Sequence, residues 1–67
     1  MTAQEWIAAF ADRLGTDAVD QATVDTLLDL AGVAAHASER TAAPIACFLV
    51  GRAGADVERA REAARQV

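Results

Sequence analysis

Apolar positions recur along the chain at intervals of three and four residues, whereas the strict alternation typical of strands is missing. This pattern predicts four helices. Their expected bounds are Thr2 to Gly15, Asp17 or Asp20 to about Glu39, Thr41 to the two glycines Gly51 and Gly54, and Asp56 to Val67. Short loops favour antiparallel neighbours, so the sequence predicts an all-α fold, a compact bundle of four short helices.

Residues that begin and end helices occur at the borders of these segments. Thr2 and Glu5 form a capping-box pattern, in which each side chain accepts a hydrogen bond from the other residue's amide. Gly15 suits a left-handed C-terminal cap. Thr41 is the expected N-cap of the third helix, and Pro44 follows in its first turn, where a missing amide hydrogen costs little.

The third helix differs from the others because it is apolar on every side. Its segment IACFLV runs from Ile45 to Val50 without a charged residue. A helix of this kind is typical of a protein interior. We therefore expect an apolar central third helix that is covered on several sides by the other three.

Two further features concern how the helices pack. Gly32 lies inside the second helix, where glycine costs about 1 kcal/mol relative to alanine, so it predicts the close approach of another helix. On the fourth helix, Glu58 is expected to pair with Arg61, and Glu62 with Arg65.

Length and composition exclude several classes of protein. The 67 residues form one domain, 1–67, with a net charge of −4, which argues against binding to nucleic acid. One cysteine and one histidine exclude an internal disulfide and a closed zinc site, so no metal or cofactor is expected. The chain shows no secretory signal and no apolar run long enough for a membrane, so we expect a cytoplasmic location and no membrane contact.

The only histidine and the only proline lie in one polar stretch, AHASERTAAP, between the second and third helices. In a catalytic interpretation, His36 acts as a general base oriented by Glu39, while Arg40 holds an anion. In a structural interpretation, these side chains bond the free carbonyls and amides at the two helix ends, Ser38 bonds a backbone carbonyl, and Thr41 caps the third helix. The structural interpretation is favoured, because four short helices leave little room for a concave active site.

Two other sites of interest have plain structural interpretations. Cys47 has apolar neighbours and is expected to be a small buried side chain rather than a reactive thiol. Trp6 and Phe10 are four residues apart and could form an exposed aromatic patch for a partner. A core position is favoured for this pair, because aromatic side chains at helical spacing usually face the core.

The segment LLDLAGVAAHASERTAAPIACFLVGRAG, from Leu27 to Gly54, resembles the signature of a small actinobacterial helical domain of unknown function. That domain occurs alone or fused to molybdenum-cofactor guanylyltransferases, and EWIAAFADRLG resembles its tryptophan-bearing first helix. The resemblance rests on a motif of the form His-x-x-Glu-Arg-x-x-Ala-Pro followed by Gly-Arg. Its residues here are His36, Glu39, Arg40, Ala43, Pro44, Gly51 and Arg52.

The resemblance implies an association with molybdopterin-guanine dinucleotide synthesis. The chain lacks the glycine-rich nucleotide-binding segment of a guanylyltransferase, so it is not expected to be that enzyme, and no catalytic residue is assigned. We expect a non-catalytic accessory module with a protein partner, such as a guanylyltransferase. The expected contact surface comprises His36, Ser38, Glu39, Arg40, Thr41 and Arg52.

Two alternatives remain open from the sequence. The same surface could bind an anionic nucleotide or pterin directly, because Arg40 and Arg52 can both donate to a phosphate or carboxylate. The domain could also be a purely structural homodimer, because the third helix and Trp6 need more cover than so short a chain supplies.

Overall fold

The computed structural model describes residues 1–67 and contains four helices and no strand. The helices are α1 (Ala3–Leu14), α2 (Gln21–Ala37), α3 (Ala42–Ala53) and α4 (Val57–Ala64). The radius of gyration is 12.2 Å, against about 25 Å for an unfolded chain of this length. The predicted all-α bundle of four short helices is confirmed.

The caps of α1 follow the sequence pattern. The Glu5 amide donates to the Thr2 hydroxyl oxygen over 3.1 Å, and the Thr2 amide donates to the Glu5 carboxylate over 2.7 Å. Gly15 ends the helix with φ 76°, in the left-handed region. Both predictions for α1, the capping box and the glycine cap, are confirmed. Each depends only on residues close in sequence, so the packing of the bundle does not alter them.

Helix α2 begins one residue after Asp20, which is therefore the cap rather than Asp17. The Thr23 amide donates to the Asp20 carboxylate over 2.8 Å. The helix ends at Ala37, two residues before the predicted end, because Ser38 leaves the helical conformation with φ −142° and ψ −98°.

Pro44 lies in the first turn of helix α3, as predicted. Of the two glycines expected to end the helix, only Gly54 does so. Gly54 is the C-cap, with φ 63°, whereas Gly51 lies within the helix. The helix therefore ends at the glycine that adopts the left-handed conformation, and Gly51 has no such role.

The centre of the bundle is α2 rather than α3. The close helix pairings are α2 with α3 and α2 with α4. Leu30 on α2 is only 2 % exposed, and the other buried residues are Ala11 and Thr26. No residue of α3 is buried, so the expectation of a covered central third helix was wrong. An apolar helix is enclosed only when neighbours lie on several of its sides, and α1 does not pack against α3 closely enough to do so.

Helix α1 sits at the start of α2 and forms no close pairing with another helix. The side chains of Gln4 and Gln21 share a hydrogen bond between the two helices. Beside that bond, Ile7 and Val24 are half-buried around a shallow pocket. The aromatic face of α1 consequently extends beyond the part of the bundle that could cover it.

Contacts between α2 and α4 include an ion pair that the sequence did not indicate. Arg61 donates to the Asp29 carboxylate over 2.9 Å, instead of pairing with Glu58 as predicted. The predicted pair of Glu62 and Arg65 is present at 3.4 Å. Exposed pairs of this kind contribute no more than about 1 kcal/mol each. Only the pair of Arg61 with Asp29 connects α4 to another helix.

Gly32 does not mark a close approach between helices, contrary to the prediction. A methyl group at this position would meet no atom of another helix within 4 Å. The same is true at Gly51, which is also helical and exposed. These two glycines therefore lower helix stability without permitting closer packing.

The glycines of α3 provide a matched pair of substitutions. Gly51→Ala should stabilise the fold by about 0.5–1 kcal/mol, because alanine favours a helix and has open space there. Gly54→Ala should destabilise it by about 1–2 kcal/mol, because a Cβ is strained in the left-handed conformation. Urea denaturation followed by circular dichroism measures both changes. Shifts of the same sign would contradict these two roles.

Stability in acid should depend on the cap of α2. Hydrogen bonding from Thr23, first from its side chain and then from its amide, holds the pKa of Asp20 below its ordinary value of 3.8. Because the folded-state pKa is the lower one, the stabilisation is present above pH 3.8 and is lost as the pH falls through the folded-state value. Asp20→Asn keeps a capping side chain without a titrating group. Denaturation midpoints should therefore fall less steeply in acid for the variant, and equal slopes would contradict the assignment.

Candidate functional site

The polar stretch between α2 and α3 forms an exposed corner of the bundle, which we call the elbow and define as residues 36–41. His36 lies in the last turn of α2, and Thr41 immediately precedes α3. The side chains of His36, Ser38, Glu39, Arg40 and Thr41 are all on exposed residues. The elbow therefore presents an imidazole, two hydroxyls, a carboxylate and a guanidinium to the surroundings.

Backbone bonds, not side chains, hold the elbow in shape. The amides of Ala42 and Ala43 donate to the carbonyls of Glu39 and Arg40 over 2.9 and 3.2 Å. Thr41 has helical backbone angles and makes no side-chain cap bond, so its predicted capping role was wrong. A turn of backbone bonds already occupies the amides that a capping hydroxyl would accept from.

Among the elbow side chains, Ser38 alone forms an internal hydrogen bond. Its hydroxyl donates to the Ala34 carbonyl over 2.8 Å, which confirms the structural interpretation for this residue. His36, Glu39 and Arg40 take part in no side-chain hydrogen bond or ion pair, so the expected bonds from them to the helix ends are not present. Glu39 does not orient His36 either, and the geometry of an oriented general base is not formed.

Arg52 occupies a separate position from the elbow. It lies in the last turn of α3, about 16 Å along the helix axis from Thr41. Arg52 and the elbow residue Arg40 are both exposed, and neither has an ion-pair partner within the chain. The structure thus gathers five of the six predicted surface residues at one corner and places the sixth at the far end of the following helix.

The aromatic pair on α1 is exposed, so the favoured core position was wrong. Trp6 is 54 % exposed and Phe10 is 48 % exposed. Their ring centroids are 5.0 Å apart with the planes tilted by 31°. Stacked on each other at the surface, the two rings form an apolar patch with Met1 and Arg13 beside it. Cys47 is half-buried and its thiol is free.

A second apolar surface lies on α3, on a face of the helix that the sequence did not specify. Ile45, Phe48 and Leu49 are exposed by 61, 62 and 55 %. Their spacing of three and four places them on one face of the helix, and Arg52 continues the same line. We call these four residues the α3 stripe. The segment from Ile45 to Val50 is uniformly apolar, so its sequence does not show which face is exposed. Arg52 is the one indication, because a lone charged residue lies on the side of a helix that faces away from the core.

A groove of about 390 Å³ adjoins the α3 stripe. Ile45 and Leu49 form one wall, while Val33 and Ala37 of α2 and the terminal Val67 contribute to the rest. All but one of its lining residues are hydrophobic.

Neither this groove nor the elbow contains a cluster of residues suited to a metal ion, and such a cluster occurs nowhere in the chain. None of the four helices combines the length and hydropathy that crossing a bilayer requires.

These features define a small all-α domain with an exposed polar corner and two exposed apolar surfaces. The chain belongs to the family described as a domain of unknown function (DUF6457), whose model matches residues 1–67. No curated protein matches the chain, and no solved structure matches it.

Proposed function

We propose that this domain is a non-catalytic interaction module that binds a protein partner through the elbow. The observation that carries the proposal is that His36, Glu39 and Arg40 are exposed and that their side chains make no hydrogen bond or ion pair within the chain. Several other polar side chains have internal partners, as in the capping box of Thr2 and Glu5. Charged groups left without partners at one corner are available to bind groups on another molecule.

The chemistry of the elbow suits an anionic contact. Arg40 can donate two parallel hydrogen bonds to a carboxylate or phosphate, which is the strongest arrangement such groups offer. The backbone bonds at Ala42 and Ala43 fix the positions from which the side chains extend. A fixed backbone lowers the entropy that is lost when a partner binds. Arg52, at the other end of α3, supplies a second cationic contact for a partner large enough to reach it.

The proposed partner is a molybdenum-cofactor guanylyltransferase acting in the cytoplasm. This part of the proposal rests on the resemblance of the His36–Arg52 motif to a domain that occurs beside or fused to such enzymes. The module would then serve the synthesis or delivery of molybdopterin-guanine dinucleotide as an accessory surface. Chemistry on the nucleotide would belong to the partner.

Substitution of Arg40 tests the proposed contact. Arg40→Ala should reduce capture of the guanylyltransferase by about 10- to 100-fold, since a charge-assisted hydrogen bond contributes about 1.5–3 kcal/mol. Circular dichroism should be unchanged, because Arg40 has no partner within the fold. Affinity is measured by surface plasmon resonance with the enzyme immobilised.

Arg59 provides the matched control, because its side chain is exposed on α4 and forms no side-chain bond. Arg59→Ala should bind the enzyme as the unsubstituted chain does. If the Arg40→Ala variant and the unsubstituted chain bind the enzyme equally well, the elbow is not the contact surface. Calorimetry with a guanine nucleotide and the domain alone addresses the ligand-binding alternative, and a heat of binding lost in Arg40→Ala would favour that alternative.

A further inference from the structure

The single chain leaves an unusually large surface exposed. Its accessible area is 5288 Å², against roughly 4,000 Å² expected for a monomeric globular protein of 7.0 kDa. Only three residues are buried. The surplus of about 1,200 Å² exceeds the ~800 Å² that each partner buries in a protein–protein interface of standard size.

Three of the ten large hydrophobic residues that are exposed lie together on the α3 stripe, next to the groove. Ile45, Phe48 and Leu49 are each more than half exposed, and the groove walls include Ile45 and Leu49 themselves. A ridge and a groove therefore lie side by side on one face. Two-fold association requires a surface that is complementary to itself, and an adjacent ridge and groove meet that requirement.

The charge distribution favours a second copy on this face. The chain carries a net charge of −4, so two copies repel each other through most approaches. Helices α1, α2 and α4 each contain two acidic residues, whereas α3 contains none and has Arg52 as its only charged residue. Because α3 has no acidic residue, two chains that meet through α3 bring no carboxylates of this helix together.

We propose that the α3 stripe is a homodimer interface, in which the stripe of each copy packs into the partner copy's groove about a two-fold axis. Phe48 lies near the middle of the stripe and close to that axis. Arg52 lies at the edge, where its guanidinium stays in contact with water. The groove shares Ala37 and Ser38 with the elbow, and the isolated chain without the enzyme tests the assembly separately from the elbow contact.

The aromatic patch on α1 is the competing surface for a second copy. Trp6 and Phe10 are exposed to a similar degree. Helix α1, however, also carries Glu5 and Asp12, whereas α3 carries no carboxylate. No groove walled by a second helix, like the one beside the stripe, adjoins Trp6 and Phe10. The stripe is therefore the favoured surface, and the experiment distinguishes the two.

Sedimentation equilibrium of the 67-residue chain from about 1 µM to about 1 mM tests the proposal. The unsubstituted chain should reach twice the 7.0 kDa mass of one chain. Ile45→Glu should remain at the single-chain mass throughout that range, because dimerisation would bury two carboxylates. Leu28→Glu is the matched control, since Leu28 on α2 is 66 % exposed and lies off the stripe. The control should dimerise like the unsubstituted chain.

A cross-link tests the same interface without a destabilising charge. In a Cys47→Ala background and with dissolved oxygen as the oxidant, Phe48→Cys should form a disulfide-linked dimer, because its position near the two-fold axis brings the two thiols within bonding distance. Leu28→Cys in the same background should stay monomeric under the same oxidation. A chain that remains monomeric at every concentration would overturn the proposal. Loss of the dimer in Trp6→Glu with its retention in Ile45→Glu would overturn it in favour of α1.

Discussion

The packing of α2 against two neighbours is the constraint on which the rest of the structure depends. Leu30 is 2 % exposed and lies where α2, α3 and α4 converge, and both close helix pairings involve α2. Alanines form most of the surrounding surface, including Ala46, Ala60 and Ala64. Small side chains let helices meet but bury little area, so the enclosed volume is limited to the surroundings of one leucine.

That limit explains why large side chains remain at the surface. A helix that contacts neighbours on one side can bury only the residues of that side, however apolar the others are. In α3, the half-buried residues such as Ala46 and Val50 face α2 and α4, while Ile45 and Phe48 face outward. The same reasoning applies to α1, whose aromatic residues extend beyond the start of α2. Exposed apolar surface is a direct consequence of a four-helix arrangement with one central member.

Most of the caps that depend on near neighbours in sequence were predictable, although the local cap at Thr41 and the pair of Glu58 with Arg61 did not form. The capping box of Thr2 and Glu5, the aspartate before α2 and the glycine after α1 all agree with the structure. Packing between distant segments was not predictable in the same way. Nothing in the segment IACFLV indicates which of its sides meets α2, because polar residues that would mark the opposite side are missing. The pairing of Arg61 with Asp29 likewise depends on how α4 lies across α2.

The structure of the elbow could be predicted only in part from the sequence. Its exposure follows from composition, since a short polar connection between helices usually lies at the surface. The separation of Arg52 from Arg40 follows from the uninterrupted length of α3, which the sequence left open between Gly51 and Gly54. Side-chain bonding was the least predictable aspect. Backbone turns satisfied the amides of α3, and three charged or titratable side chains were left free as a result.

The loose attachment of α1 has a consequence for how the domain opens. The helix is capped at both ends by its own sequence and forms no close helix pairing. A segment of this kind can detach while the remaining three helices stay folded, as a cooperative unit of lower local stability. Amide hydrogens of α1 would then exchange with solvent sooner than those around Leu30. We therefore expect local opening of the domain to begin at the amino-terminal helix and to reach α2 last.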